Sequence, residues 1–141
     1  MKIGILNGPN LNLLGIREQS IYGKSDFESY FEKLKSKFPE IELSYYQSNV
    51  EGELIDQLHN WRKNLDGILF NAGGYTHTSV ALHDAIKAID LPVIEIHISN
   101  PVAREDFRKH SLIAAACAGS ISGFGLNSYL LGLKAFQEDW F

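Results

Sequence analysis

The chain has a single cysteine, Cys117. No disulfide can therefore form within it, which excludes a disulfide-stapled fold and fits a reducing compartment. Ala114-Ala115-Ala116-Cys117-Ala118 surrounds the thiol with small apolar residues, the setting of a packed core position. No apolar run approaches the length of a membrane span. The short stretch from Ile3 to Leu6, broken at once by Asn7-Gly8-Pro9, does not read as a signal peptide, so a cytoplasmic location is expected. Excess positive charge is missing too: the net charge is −4 and no basic stripe occurs, which argues against a nucleic-acid partner. There is no internal repeat, no low-complexity segment and no dividing linker. One domain spanning residues 1–141 is expected, long enough to bury a core unaided.

Two nucleotide signatures are also missing. Gly8-Pro9-Asn10 is not followed by the Gly-Lys-Ser/Thr of a Walker A loop, and no Gly-x-Gly-x-x-Gly fingerprint is present, so ATP and NAD are poor candidates. The five histidines, His59, His77, His83, His97 and His110, lack ligand-type spacing, and no metal is expected. His59 and His110 read as solvated helix positions.

What is present is an ordinary globular composition, 45% hydrophobic and 21% charged, in which strand and helix signals alternate. Lys2 to Asn7 reads as a buried strand. Ser25-Asp26-Phe27-Glu28 matches a capping box, and Phe27, Phe31, Leu34 and Phe38 follow at helical spacing up to Pro39. Ile41 to Gln47 reads as a second strand. Ser48-Asn49-Val50-Glu51 resembles another box, opening a helix with Leu54, Leu58, Trp61 and Leu65 on one face. Gly67-Ile68-Leu69-Phe70 is continuous rather than alternating, as a central parallel strand covered on both sides should be. A helix from about Thr78 to Ile89, a strand from Pro92 to His97 and a short strand near Ser120 to Gly123 come next. A last helix carries Tyr129, Leu133, Phe136 and Trp140. The pattern predicts an α/β fold: a flavodoxin-like, doubly wound five-stranded parallel sheet with helices on both faces and right-handed crossovers.

Chemistry-bearing residues gather where those strands end. Asn7, Asn10, Arg17 and Tyr22 follow the first strand, in a glycine-punctuated loop running to Gly23. Asn71-Ala72-Gly73-Gly74-Tyr75-Thr76-His77-Thr78-Ser79 follows the third. His97, Ser99 and Asn100, then Arg104 and Arg108, follow the fourth. In a parallel sheet these ends share one crevice. Arginine beside tyrosine supplies a phenolate base held by a cation, the tool for removing a proton from carbon. Without such a cation a phenol titrates near pH 10. Glu95 and His97, two apart on a strand, leave the same face, and a carboxylate beside an imidazole favours its charged form, which suits a general acid. The plainer reading of the pair is a buried histidine satisfied by an acid. The segment from Asn71 to Ser79 offers exposed N–H groups for an anion or a hydroxyl, or is an ordinary capped glycine turn. Arg104, Arg108 and Asp84 are equally readable as a solvated charged face.

These blocks closely resemble the type II 3-dehydroquinate dehydratases of the shikimate and quinate pathways. Asn7 to Gly23, Asn71 to Ala85 and Ile94 to Arg108 match in order and spacing, and a weaker block runs from Gly123-Phe124-Gly125 to Tyr129. The resemblance implies dehydration of 3-dehydroquinate to 3-dehydroshikimate, a step toward aromatic amino acids, by anti elimination through an enolate. It implies Tyr22 as the base, Arg17 as the cation that lowers its pKa, and His97 as the acid toward the departing hydroxyl, held by Glu95. Asn10 would stabilise the enolate oxygen, through a water. Substrate contacts would fall on Asn71, His77 and Arg108, with Ile98 and Ser99 cradling the carboxylate, and Asp84 would reach a neighbouring subunit's site. The loop over residues 11–24 would be a lid. A dodecamer of trimers is implied, and no cofactor. His83 stands where some relatives carry arginine. The type I dehydratases use a lysine Schiff base on a much longer barrel, for which this chain is too short. The rival from another class is a non-catalytic flavodoxin-like binding module. A receiver domain would need clustered acids after the first strand, and a flavin binder a hydroxyl-rich loop there; Asn7-Gly8-Pro9-Asn10 supplies neither.

Overall fold

Strands without a polar face must be covered twice, and this chain meets that demand with helices on either side of one sheet. The computed structural model describes residues 1–16, 20 and 26–140. Its elements run β1 (Lys2–Asn7), α1 (Phe27–Lys37), β2 (Glu42–Gln47), α2 (Glu51–Trp61), β3 (Gly67–Asn71), α3 (Val80–Lys87), β4 (Val93–His97), β5 (Gly119–Ser122) and α4 (Asn127–Gln137). All pairings are parallel and the strand order is β2-β1-β3-β4-β5, as the doubly wound reading expects. In this order the chain reverses its direction of growth between β1 and β3, and open α/β sheets place ligands at that point.

The pleat sorts side chains between the two faces. Ile3, Ile5, Leu69, Ile94 and Ile96 pack with Phe27 and Leu34 of α1 and Tyr129, Leu133 and Phe136 of α4. Leu6, Ile68, Phe70 and Val93 point the other way, onto Leu54 and Leu58 of α2 and Leu82 and Ile86 of α3. Each such Leu, Ile or Phe contributes about 1.5–3 kcal/mol on leaving water. Glu95 and His97 share the Val93 side of β4, so a carboxylate and an imidazole stand on the face that carries Leu6, Ile68 and Phe70.

The helix ends depart from expectation in instructive ways. Asp26, not Ser25, caps α1: its carboxylate accepts from the Ser29 N–H at 2.7 Å, and a charged acceptor suits the positive end of a helix. Ser25 lies outside the described residues. At α2 the Ser48 hydroxyl accepts from the Val50 N–H at 2.9 Å and donates to the carboxylate of Glu53, rather than pairing with Glu51. The helix expected from Thr78 starts at Val80, with Ser79 as its cap, because a 3-10 turn over Gly73–His77 takes up the preceding residues. The last helix stops at Gln137. Glu138 and Asp139 oppose the negative helix end, Asp139 turns into the left-handed region (φ 52°), and Trp140 is left 70% exposed instead of joining the apolar stripe. His110 is exposed as expected, but in a loop and not on a helix.

Candidate active site

At the β1/β3 edge the backbone crowds so closely that glycine is required. The Gly8 N–H donates to the Asn71 carbonyl at 2.7 Å, and a Cβ on Gly8 would stand 2.5 Å from the Ala72 carbonyl oxygen. Opposite it, Gly73 adopts φ +59°, where other residues are strained. Asn10 also sits in the left-handed region (φ 69°), which asparagine tolerates. Its N–H donates to Asn49 Oδ1 at 2.9 Å, and that oxygen also accepts from Gln47 Nε2 at 3.1 Å. The Tyr75 hydroxyl donates to the Asn49 carbonyl at 2.9 Å. Asn10 is thus set in place from the ends of β1, β2 and β3 together.

Asn71 is held from beneath. Its Nδ2 donates to Tyr129 Oη at 3.0 Å, its Oδ1 accepts from the Gly73 N–H at 3.2 Å, and the Tyr129 hydroxyl passes its own proton to Asn7 Oδ1 at 2.8 Å. Complete burial pushes the Tyr129 phenol far up in pKa, so it stays neutral and acts as a fixed relay.

At the end of β4, His97 Nε2 lies 3.0 Å from Glu95 Oε1. Glu95 also accepts from Ser111 Oγ at 2.6 Å and Ser120 Oγ at 3.0 Å. Burial on its own would raise this carboxyl. The hydrogen bonds from His97 and Ser111, the His97 charge and the Ser120 bond together outweigh it and hold the group below the usual glutamate range. A charged glutamate beside the ring fixes the tautomer, since Nε2 must present hydrogen to it.

The facing wall is cationic. His77 Nδ1 lies 2.7 Å from the His110 carbonyl, which can only accept, so Nδ1 carries the hydrogen and Nε2 is the free acceptor of the neutral ring. Arg104 Nη1 donates to Ser99 Oγ at 3.3 Å and Arg108 Nε donates to Glu105 Oε2 at 2.7 Å. Glu105 also lies 3.8 Å from Arg104 Nε, so one carboxylate serves two guanidiniums and the wall keeps a positive balance.

Between these walls lies a cavity of about 110 Å³, lined in part by Asn10, Asn71, His77 and His97. Ile98, Ser99 and Arg108 complete the expected residues on its surface. Ile98 is only 3% exposed and belongs to the core on the α1/α4 face. Glu95 stands behind His97. Asp84 is exposed on α3 and does not line this cavity. Arg17 and Tyr22 lie outside the described residues. Arg104, which sequence reasoning left as undecided surface charge, lines the cavity. Ser111, Ser120 and Asn49 were missed altogether. The signal for Ser120 was available, because aligning β5 in parallel with β4 sets it opposite Glu95. Ser111 and Asn49 act from loops distant in sequence and carry no local signal.

A family model described as dehydroquinase class II matches residues 1–137. The chain belongs to that family. A protein of Caldicellulosiruptor saccharolyticus named 3-dehydroquinate dehydratase is 54% identical over 140 residues, covering 97% of each chain. A protein of the same name from Carboxydothermus hydrogenoformans is 55% identical over 141 residues, covering 98% of this chain and 91% of that one. The crystal structure of a type II dehydroquinase from Butyrivibrio crossotus superposes with a TM-score of 0.94 at 42% identity, covering 97% of both chains.

Proposed function

We propose that this chain dehydrates 3-dehydroquinate to 3-dehydroshikimate by anti elimination. Tyr22, with its pKa lowered by Arg17, takes the proton from the carbon beside the ketone. The electron pair moves onto the ketone oxygen as an enolate, which Asn10 stabilises through a water as an oxyanion-type donor. The enolate then expels the hydroxyl, which leaves as water with a proton from His97. An acid and a base suffice for this sequence, and no electron carrier is called for.

The observation that carries the reading is the division of labour around one cavity in a chain of this family: a carboxylate-held imidazole on one side, two guanidiniums with a serine on the other. The first suits proton transfer to a leaving hydroxyl. The second suits a substrate carboxylate, which planar arginine forks bind with paired hydrogen bonds. His77, with Nδ1 committed to the His110 carbonyl, leaves Nε2 for a substrate hydroxyl, and Asn71, whose Nδ2 and Oδ1 each make one bond within the protein, keeps its second amide hydrogen and second oxygen lone pair for another. The chain acts as one catalytic domain, with residues 11–24 as a lid that carries Arg17 and Tyr22 over the cavity and excludes water. Twelve copies, arranged as trimers, work in the cytoplasm, with Asp84 reaching a neighbour's site. No helix among the described residues is long and apolar enough to cross a membrane.

The test is the ultraviolet absorbance of purified protein mixed with 3-dehydroquinate. A catalytic rise from the conjugated enone is expected, and borohydride added with substrate should leave activity intact, because no imine forms. A flat trace from folded, assembled protein contradicts the proposal and favours the binding-module reading.

A further inference from the structure

Ser111 takes no part in the mechanism above, yet it stands where the supports of both cavity histidines meet. Glu95 is 1% exposed. Its Oε1 faces two donors, His97 Nε2 at 3.0 Å and Ser111 Oγ at 2.6 Å, while Oε2 accepts from Ser120 Oγ at 3.0 Å. Ser111 Oγ also accepts from the Ala114 N–H at 3.0 Å. That bond orients the hydroxyl and directs its single proton to Glu95. The residues on either side are anchored as firmly. The His110 carbonyl holds His77 Nδ1 at 2.7 Å, the Leu112 N–H donates to the Thr76 carbonyl at 2.8 Å, and the Leu112 carbonyl holds His83 Nδ1 at 2.7 Å.

A carboxylate bonded to an imidazole alone can rotate, and its undivided charge competes for the imidazole proton. Further donors fix its plane and disperse its charge, so that it orients the ring without taking the proton. We propose that Ser111, seconded by Ser120, is a positioning residue for the elimination: its hydroxyl fixes Glu95 in the orientation that holds His97 by Nε2 and leaves Nδ1 for the substrate. This rests on His97 acting as the acid of the dehydratase reading.

The groups around Glu95 are His97 on β4, Ser120 on β5, Ser111, and Cys117 from the loop before β5. Burial, and then the Glu95 charge, pushes the Cys117 thiol up to about 12, so it stays neutral through the working range. His77, Arg104 and Arg108 line the same cavity as His97.

The test compares wild type, Ser111→Ala, Ser111→Thr and Ser120→Ala by kcat and KM across pH, by Tm, and by NMR titration of the His97 ring assigned through His97→Gln. Ser111→Ala should lower kcat roughly tenfold, the effect of one lost hydrogen bond to a charged group. KM should stay within about twofold, because the substrate contacts are untouched. Glu95, with one donor fewer, protonates more readily, so the acid limb of kcat should move to higher pH and the His97 titration should move with it. Ser111→Thr keeps the hydroxyl at a half-buried site and should restore both. Ser120→Ala should shift the same quantities less. A lower Tm with an unchanged kcat profile and an unchanged His97 titration overturns the proposal and reduces Ser111 to a cap on the turn at Ala114. Should wild type fail to turn over 3-dehydroquinate, the dehydratase reading falls. The His97 titration then decides alone: movement in Ser111→Ala supports the positioning role, and no movement overturns it.

Discussion

Two glutamates back the residues that line this cavity, one behind His97 on the inner wall and one beside Arg104 and Arg108 on the outer, and their surroundings give them different work. Glu95 is buried, receives three side-chain donors and holds one imidazole. Glu105 is exposed just before the 3-10 turn at Asp106–Arg108 and shares its charge between Arg104 and Arg108. Both carboxyls lie below the usual range, but for different reasons. Burial opposes ionisation of Glu95 and is overcome by convergent donors. The Glu105 carboxyl is lowered by a backbone N–H and by Arg108 with little desolvation to overcome. Buried charge holds a geometry; exposed charge holds a potential. On the proposed mechanism the inner wall would aim a proton and the outer wall would attract an anion.

The comparison can be broken most sharply at its buried member. Glu95→Ala removes a buried carboxylate from an imidazole and two hydroxyls and should cost about 3–5 kcal/mol of stability. Glu105→Ala should leave Tm essentially unchanged, and chemical denaturation of the two variants measures the contrast. Equal losses would erase the distinction between the walls. On the outer wall, Arg108→Ala removes a charged hydrogen-bonding partner and should raise KM roughly tenfold or more, from about 1.5–3 kcal/mol of lost binding, with kcat nearly kept. Added salt should narrow that gap, because the interaction it removes is screened. A selective loss of kcat would place Arg108 on the chemical step instead.

The smallest effect is the most diagnostic of environment. Each glutamate has its pKa lowered by folding, so in the acid range the unfolded chain binds more protons and stability rises with pH. Their contributions are complete above the unfolded glutamate range and are lost as pH falls through the lower folded values. The Glu95 part of that loss should persist in high salt, while the Glu105 part should fade. Urea melts between pH 2 and 6 at two salt concentrations, on wild type and Glu105→Gln, separate them.

Much of this was legible in the sequence because the decisive signals are local or periodic. The unbroken apolar run at Ile68 to Phe70 announces a strand covered on both faces, and Glu95 with His97 follows from the two-residue period of any strand. The topology then gathers the ends of β1, β3 and β4 without further information. What escaped was non-local or competitive. Nothing near Ser111 in the chain reveals that it meets Glu95, and Tyr129, read as an apolar helix position, is a buried relay between Asn7 and Asn71. Asp26 is the cap because the helix begins at Phe27, one residue later than the Ser25 box implies, and a carboxylate there suits the helix dipole. Trp140 keeps the helical spacing but lies past the point where Glu138 and Asp139 end the helix. Arg104 was ambiguous because a solvated arginine and a cavity arginine have the same sequence; only the 3-10 turn over Pro101–Ala103 brings it back beside Ser99.

The most direct test of His97 as the acid is proton NMR of 3-dehydroquinate incubated with His97→Gln in deuterated water. The variant should still exchange the hydrogen on the carbon beside the ketone, because the base is intact. It should form enone about 100- to 10,000-fold more slowly than wild type, the usual worth of a positioned acid. Enone formed at the wild-type rate would remove His97 from the leaving-group step and contradict the account at its centre.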